Sequence, residues 1–293
     1  MKTLTGQFEV HHFKIPFSKY NKVIPLIPFG DIHRSSDNCA VDKWHKFLDW
    51  GKSKKNCYFI GTGDYDDLVS AIERDVLSNS RLHDSTNNTL DQMYRHYSDK
   101  FYEEIKFMKG RLLGLIEGNH YGVFNNGTTT TQYLCDKLGC KYLGCNAFVR
   151  VILDNQKGNT NHKLDIWVHH GKSGSRKDSG SLSKLEDIAN FIQANIYIMG
   201  HDHKKIADTK IRLKLSDTQK LDNLDIVHEK YVLVRAGSFL KGYVKGRTSY
   251  VTAACLPPAD LGIVKIEITP ERRRVTIEGK DYDIRGVDLH ASI

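Results

Sequence analysis

The chain is 293 residues long, enough for one large domain or two ordinary ones. Lys and Arg outnumber Asp and Glu 43 to 35, a formal charge of +8, and apolar residues make up 40% against 27% charged. That balance excludes a disordered chain and a collagen-like fibre. A membrane-spanning helix is excluded too, since apolar runs such as Val23–Phe29 fall far short of the roughly 20 residues it needs.

In chain order, Val23–Phe29 predicts a first strand, followed at once by Gly30-Asp31-Ile32-His33. Val41–Lys54 predicts a helix, with Trp44, Phe47, Leu48 and Trp50 towards one face and Asp42 in its first turn. Cys57–Ile60 predicts a second strand, running into Gly63-Asp64-Tyr65-Asp66-Asp67. Leu90, Met93, Tyr94, Tyr97, Phe101, Ile105 and Met108 recur at steps of three and four, predicting a helix over Leu90–Lys109. The strand Leu112–Ile116 leads to Gly118-Asn119-His120, and Leu164–Val168 leads to His169-His170-Gly171. A Ser-x-x-Glu capping box, Ser183 and Glu186, predicts a helix over Ser183–Ala194. Ile196–Met199 predicts a fifth strand, ended by Gly200-His201-Asp202-His203.

Beyond about residue 204 the pattern becomes strand-rich, with Lys210–Leu215, Lys230–Arg235, Gly262–Ile268 and Arg274–Glu278 joined by hairpins or loops. Strands alternating with helices predict an α/β layered fold, with ligands beyond the carboxyl ends of the strands. No repeat or linker divides the chain, so a single domain over 1–293 is expected. Its motif core covers about 22–205, a helical insertion about 69–109, and the strand-rich part about 206–293 completes the sheets. Met1–Pro16 has no continuous apolar stretch and reads as no secretory signal. The six cysteines form no disulfide framework, and Cys135, Cys140 and Cys145 match no zinc spacing, so the reducing cytoplasm is expected.

Five successive strand ends therefore carry Asp, Asn or His, where α/β proteins build their sites. One such fragment is commonplace; five in series are not. Carboxylate and amide oxygens with imidazole nitrogens suit Mn, Zn, Fe or Mg. A carboxylate can bridge two ions, and His-x-His in an extended segment turns both rings to one side. Two metals ~3.5–4 Å apart can clamp a phosphoryl group and acidify a shared water.

These blocks resemble the calcineurin-like metallophosphoesterases, whose pattern is D-x-H, G-D-x-x-D, G-N-H-[D/E], a His-bearing strand end and G-H-x-H. All five stand here in order, from Asp31 to His203. The resemblance implies an αββα architecture, a layered β-sandwich flanked by helices. It implies one metal held by Asp31, His33 and His203, with Asp64 bridging to a second held by Asn119, His169 and His201. Where relatives have a double histidine the first is the ligand, which favours His169 over His170. The resemblance further implies that a hydroxide between two divalent ions, Mn first, attacks phosphorus. His120 would then protonate or stabilise the leaving oxygen, and Asp67 would orient that imidazole.

The chain departs from the pattern at Tyr121, where the family usually has Asp or Glu. At Leu68 it lacks the Arg of protein Ser/Thr phosphatases. Gly171-Lys172-Ser173 is no P-loop, since Ile166 stands where that motif needs glycine. The loop Gly171–Ser183 nonetheless offers Lys172, Arg176 or Lys177 to a phosphate, with His170 as a further substrate contact. Arg74, Arg81, His83 and Arg95 of the insertion are other candidate contacts, insertions near a site being common selectors of substrate. Phe239, Tyr243 and Tyr250 interleave with Lys241, Lys245 and Arg247, a pattern that fits base stacking or a half-buried strand.

The expected function is thus a dimetal phosphoesterase, leaning towards a phosphodiester in nucleic acid or a nucleotide. A phosphomonoesterase acting on a nucleotide or small molecule, a non-catalytic module of the same fold, and a nucleic-acid binder with structural metals stay open. No membrane partner is expected, and the sequence leaves the oligomeric state open.

Overall fold

Strand after strand in this chain carries large apolar side chains at consecutive positions, as a strand covered on both faces must. The computed structural model describes residues 9–172, 175–216, 225–277 and 279–293. In it two mixed sheets pack face to face and helices flank them. The first holds β1 (Glu9–Phe17), β6 (Asn146–Asn155), β7 (His162–His169), β8 (Ile196–Met199), β10 (Ile226–Ser238) and β11 (Gly262–Ile263) in that order, with β9 (Lys205–Leu215) also paired to β10. The second runs β13 (Lys280–Ser292), β12 (Lys265–Ile277), β2 (Ile24–Phe29), β3 (Tyr58–Gly61), β4 (Leu112–Leu115) and β5 (Lys141–Tyr142).

Alternation divides the central strands between two interiors. Leu26, Ile60, Leu113, Ile166, Val168, Ile196, Ile198, Val232 and Val234 fill the space between the sheets. Their neighbours Ile27, Phe29, Phe59 and Leu112 point the other way, onto α1 (Val41–Ser53), α3 (Asp84–Ile105) and α4 (Thr130–Leu138), where Trp44 stacks on Phe101. On the far side Trp167, Tyr197, Met199 and Leu233 meet Leu185 of α5 (Asp178–Phe191). The C-terminal strands belong to these same sheets, since β12 pairs with β2 and β10 with β8.

The insertion holds two helices. α2 (Ala71–Asn79) buries no residue, whereas the second half of α3 drives Phe101 and Ile105 into the core, followed by a 3₁₀ turn over Lys106–Met108. Thus only its first part stands clear of the sandwich. Several expected boundaries differ, among them the start of the long insertion helix, which is Asp84 and not Leu90. α5 begins at Asp178, so Ser183 lies inside it and its hydroxyl donates to the Ser179 carbonyl at 2.8 Å, and the expected capping box is absent. Gly262–Ile268 is two strands, β11 and β12. The expected strand Arg274–Glu278 is the end of β12, and Glu278 lies outside the described residues. Strands β1, β6 and β13 and helix α4 have no counterpart in the sequence reading. No helix of the described residues is long and apolar enough to cross a membrane.

Candidate metal centre

After β2, β3 and β8 the chain turns abruptly out of the extended region. Asp31 (φ 46°), His33 (47°), Asp64 (51°), His201 (72°) and His203 (58°) all adopt left-handed backbone. Non-glycine residues pay about 1–3 kcal/mol for such a conformation, and it persists where the surroundings over-determine it. Here they do. The Asp31 amide donates to the Gly63 carbonyl at 2.9 Å, and those of Ile32 and His33 to the Asp64 carbonyl, which stitches the first two turns together.

The turns converge at the same end of the sandwich. Ligand-capable atoms of Asp31, His33 and His203 lie within 4.8 Å of one another, as do those of Asp64, His170 and His201, and of His33, Asp64 and His120. Asp64 links the groups. Its Oδ1 accepts the amides of Asn119 (2.6 Å) and His120 (2.9 Å), which leaves Oδ2 facing His170 Nε2 at 3.3 Å and His33 Nε2 at 3.8 Å. Gly118 makes this approach feasible: a Cβ there would sit 2.1 Å from Asp64 Oδ1. Asp31 Oδ2 accepts the His201 amide at 2.9 Å while Oδ1 faces His203 Nε2 at 3.5 Å.

His170, and not His169, enters the cluster. Its Nδ1 lies 2.7 Å from the Thr62 carbonyl, so that nitrogen carries the proton, and Nε2 lies 2.7 Å from Asn119 Oδ1 and 3.2 Å from His201 Nδ1. His169 continues the alternation of β7: it shares the outer face with Trp167, its ring stacked at 5.6 Å, and its Nδ1 accepts the Gly171 amide. The geometry thus brings His170, and not the expected His169, among the metal-competent atoms.

The donor set fits a cation. Asp31 Oδ1 and His33 Nε2 are buried without a hydrogen-bond partner, an expensive state for a carboxylate oxygen and an imidazole lone pair. Around Asn119 Oδ1 two imidazole nitrogens converge, so acceptors face acceptors unless a proton or an ion lies between them. Electrostatics agree. Burial works against ionisation of Asp31 and Asp64, yet the imidazoles of His203 and His170 beside them hold both below the usual carboxylate range. His170 is desolvated, but Asp64 more than offsets this and pushes it up to about 9. Among the described residues no cysteine belongs to a candidate metal group.

His120 lies beside both groups. Its Nδ1 is 2.7 Å from Asp67 Oδ1, which also meets His33 Nδ1 at 3.3 Å. Hydrogen bonds from both rings depress the Asp67 pKa. In return the Asp67 and Asp64 carboxylates raise His120 against the effect of burial. Behind the last turn, Arg235 is fully buried and donates to the carbonyls of Ser181 and Gly200, with Nε 3.4 Å from Asp202 Oδ2. Nothing in the sequence reading singled out Arg235, although one Arg in the apolar run Tyr231–Ala236 signals a buried partner.

The other candidate contacts have partners of their own or lie at the surface. Lys172 is exposed, and Arg176 turns to the Ala254 carbonyl at 3.4 Å; positions 173 and 174, in the same loop, are outside the described residues. Phe239 packs against Trp44 in the core, so it is no stacking platform, and Arg247 pairs with Asp37. Arg95 lies over the rings of Phe124 and Tyr133, while Arg74 bonds to backbone carbonyls.

Comparison with protein-family models and with curated proteins finds no match for this chain. The donor geometry yields a direct expectation instead. If the cluster binds a divalent ion, with Mn as the probe in equilibrium dialysis, His170→Ala should lower the bound amount while His169→Ala leaves it unchanged. The reverse pattern would return His169 to the ligand set.

Proposed function

We propose that this protein is a dimetal phosphoesterase of the calcineurin-like metallophosphoesterase kind, its sheets and helices forming that family's αββα sandwich. One observation carries this. Five separate strand ends deliver Asp31, His33, Asp64, Asn119, His120, His170, His201 and His203 to one cluster centred on Asp64 Oδ2. Asp31, His33 and His203 would hold one divalent ion and Asn119, His170 and His201 the other, with Asp64 shared. Two such ions, Mn first and Zn, Fe or Mg as alternatives, would supply Lewis-acid polarisation of a phosphoryl group and a water that ionises near neutral pH.

The chain's own groups do the rest. The Thr62 carbonyl fixes the His170 tautomer, so its Nε2 lone pair faces the cluster. Asp67 holds Nδ1 of His120, leaving Nε2 of a ring that is 27% exposed to present a proton to a departing oxygen. Asp67 also holds His33, so one carboxylate sets both the ligand and the acid. The charge of +8 favours a polyanionic diester in nucleic acid or a nucleotide, with a phosphomonoester as the alternative.

The test is hydrolysis of bis-p-nitrophenyl phosphate and p-nitrophenyl phosphate with Mn and with EDTA. Mn-dependent turnover favouring the diester is expected, and a preference for the monoester would move the substrate class. No turnover of either by folded, Mn-loaded protein would defeat the proposal. His120→Ala should keep its Mn yet lose about 10²–10⁴ in rate on an ester with a poor leaving group. Equal turnover with wild type would remove that role.

A further inference from the structure

Helix α2 is held to the molecule in an unusual way. It buries no residue, and Ile72 and Val76 are 77% and 61% exposed, so apolar packing contributes little beyond half-buried Leu77. Its connection runs through Arg74. Nη1 of that side chain is shared among the carbonyls of Val69 (2.8 Å), Asn119 (2.8 Å) and Tyr121 (3.1 Å), and the guanidinium lies 3.8 Å from the centroid of the Tyr121 ring. The Leu68 amide donates to the carbonyl between them, that of His120, at 3.3 Å. A complete capping box, Ser70 with Glu73, fixes the turn on which Arg74 stands.

Three consecutive peptide carbonyls, 119 to 121, are thus gripped by residues 68 to 74, while the amides of 119 and 120 are gripped by Asp64. This peptide carries both a ligand oxygen and the acid. We propose that Arg74 is the positioning residue for His120, acting through the carbonyls of Asn119 and Tyr121 on either side of it, with Tyr121 supplying the face on which its guanidinium rests. The assignment rests on the phosphoesterase function proposed above. It gives Tyr121, the departure from the family pattern, a role: an aromatic ring there engages the insertion's cation by stacking, which an ammonium does poorly.

Arg74→Met keeps the apolar stem and removes the donors. Its kcat on a phenolate-leaving phosphate ester should fall about 10–100-fold, the scale set by misplacing a catalytic group, and by a clearly larger factor than on the nitrophenolate analogue. Arg74→Lys should recover part of the loss. Combined with His120→Ala, Arg74→Met should cost little more on the phenolate ester, because both act through one ring. Hydrogen exchange on the metal-free protein gives a readout independent of turnover: amides of residues 119–123 should exchange faster, with the strands unchanged. If Arg74→Met does not fold, Tyr121→Leu replaces it, with Tyr121→Phe as the ring-retaining control.

An unchanged ratio between the two esters, or unchanged exchange at 119–123, overturns the assignment. Wild-type protein that hydrolyses neither ester defeats the phosphoesterase proposal and Arg74's catalytic consequence with it. Exchange alone then decides whether the grip exists.

Discussion

Asp64→Asn is expected to abolish turnover, lowering kcat by about 10³-fold or more, and to bring bound Mn below two equivalents. Its Oδ2 lies between the two ligand groups, 3.3 Å from His170 and 3.8 Å from His33, so removing its charge weakens both positions. A loss of about 4 kcal/mol of electrostatic stabilisation is enough for that rate change. The substitution is also a clean one. Asn tolerates the left-handed backbone at φ 51°, and its side-chain oxygen can still accept the amides of Asn119 and His120. The fold should therefore survive, which circular dichroism and thermal melting would show. A variant that binds two Mn ions with more than a tenth of wild-type activity would disprove the shared-ligand role.

Arg235→Leu should destabilise the protein by about 3–5 kcal/mol, the usual effect of leaving a buried ionic partner unpaired. Arg235 and the Asp202 carboxyl are both essentially sealed from water, at 0% and 2% side-chain exposure. Losing the guanidinium strips the Ser181 and Gly200 carbonyls of a donor as well. At roughly 2 °C per kcal/mol for a chain of this size, Tm should drop by about 6–10 °C. Because Asp202 sits between His201 and His203, Mn-induced stabilisation should shrink in the same variant. Arg235→Leu/Asp202→Leu should regain part of the loss, since the orphaned charge is gone. A single variant melting within about 2 °C of wild type would rule the pair out as an anchor.

The positions of the Asp- and His-bearing turns are legible because each closes an apolar run, and that pattern survives in one dimension. Element ends were less so. Helix α4 carries its own signal, the Thr129-x-x-Gln132 box that is fully formed in the structure, but with only nine residues it offers a short periodic pattern. The start of α5 was misplaced because Ser183, in the second turn, imitates a cap while the helix is led by Asp178. Which of His169 and His170 faces the cluster is not written in β7, whose Ile166, Trp167 and Val168 are all apolar and buried, but follows from the packing of its faces. Position 169 shares a face with Trp167, and that face turns to α5, away from the other turns. What no local pattern carries is distance in the chain. Arg74 meets Asn119 and Tyr121 across more than forty residues, and Arg235 reaches Ser181 across 54.

The interleaving of the strands has a consequence for synthesis. Every proposed ligand has been made once His203 leaves the ribosome, but β8 still lacks its neighbour β10, and β2 still lacks β12. A nascent chain at that stage holds a full complement of histidines and carboxylates on an unfinished frame, with apolar strand edges open to the wrong partners. Both sheets acquire their last strands from the final third of the chain. On the proposed reading, the metal-competent side chains thus reach their final frame only when the C-terminal strands dock.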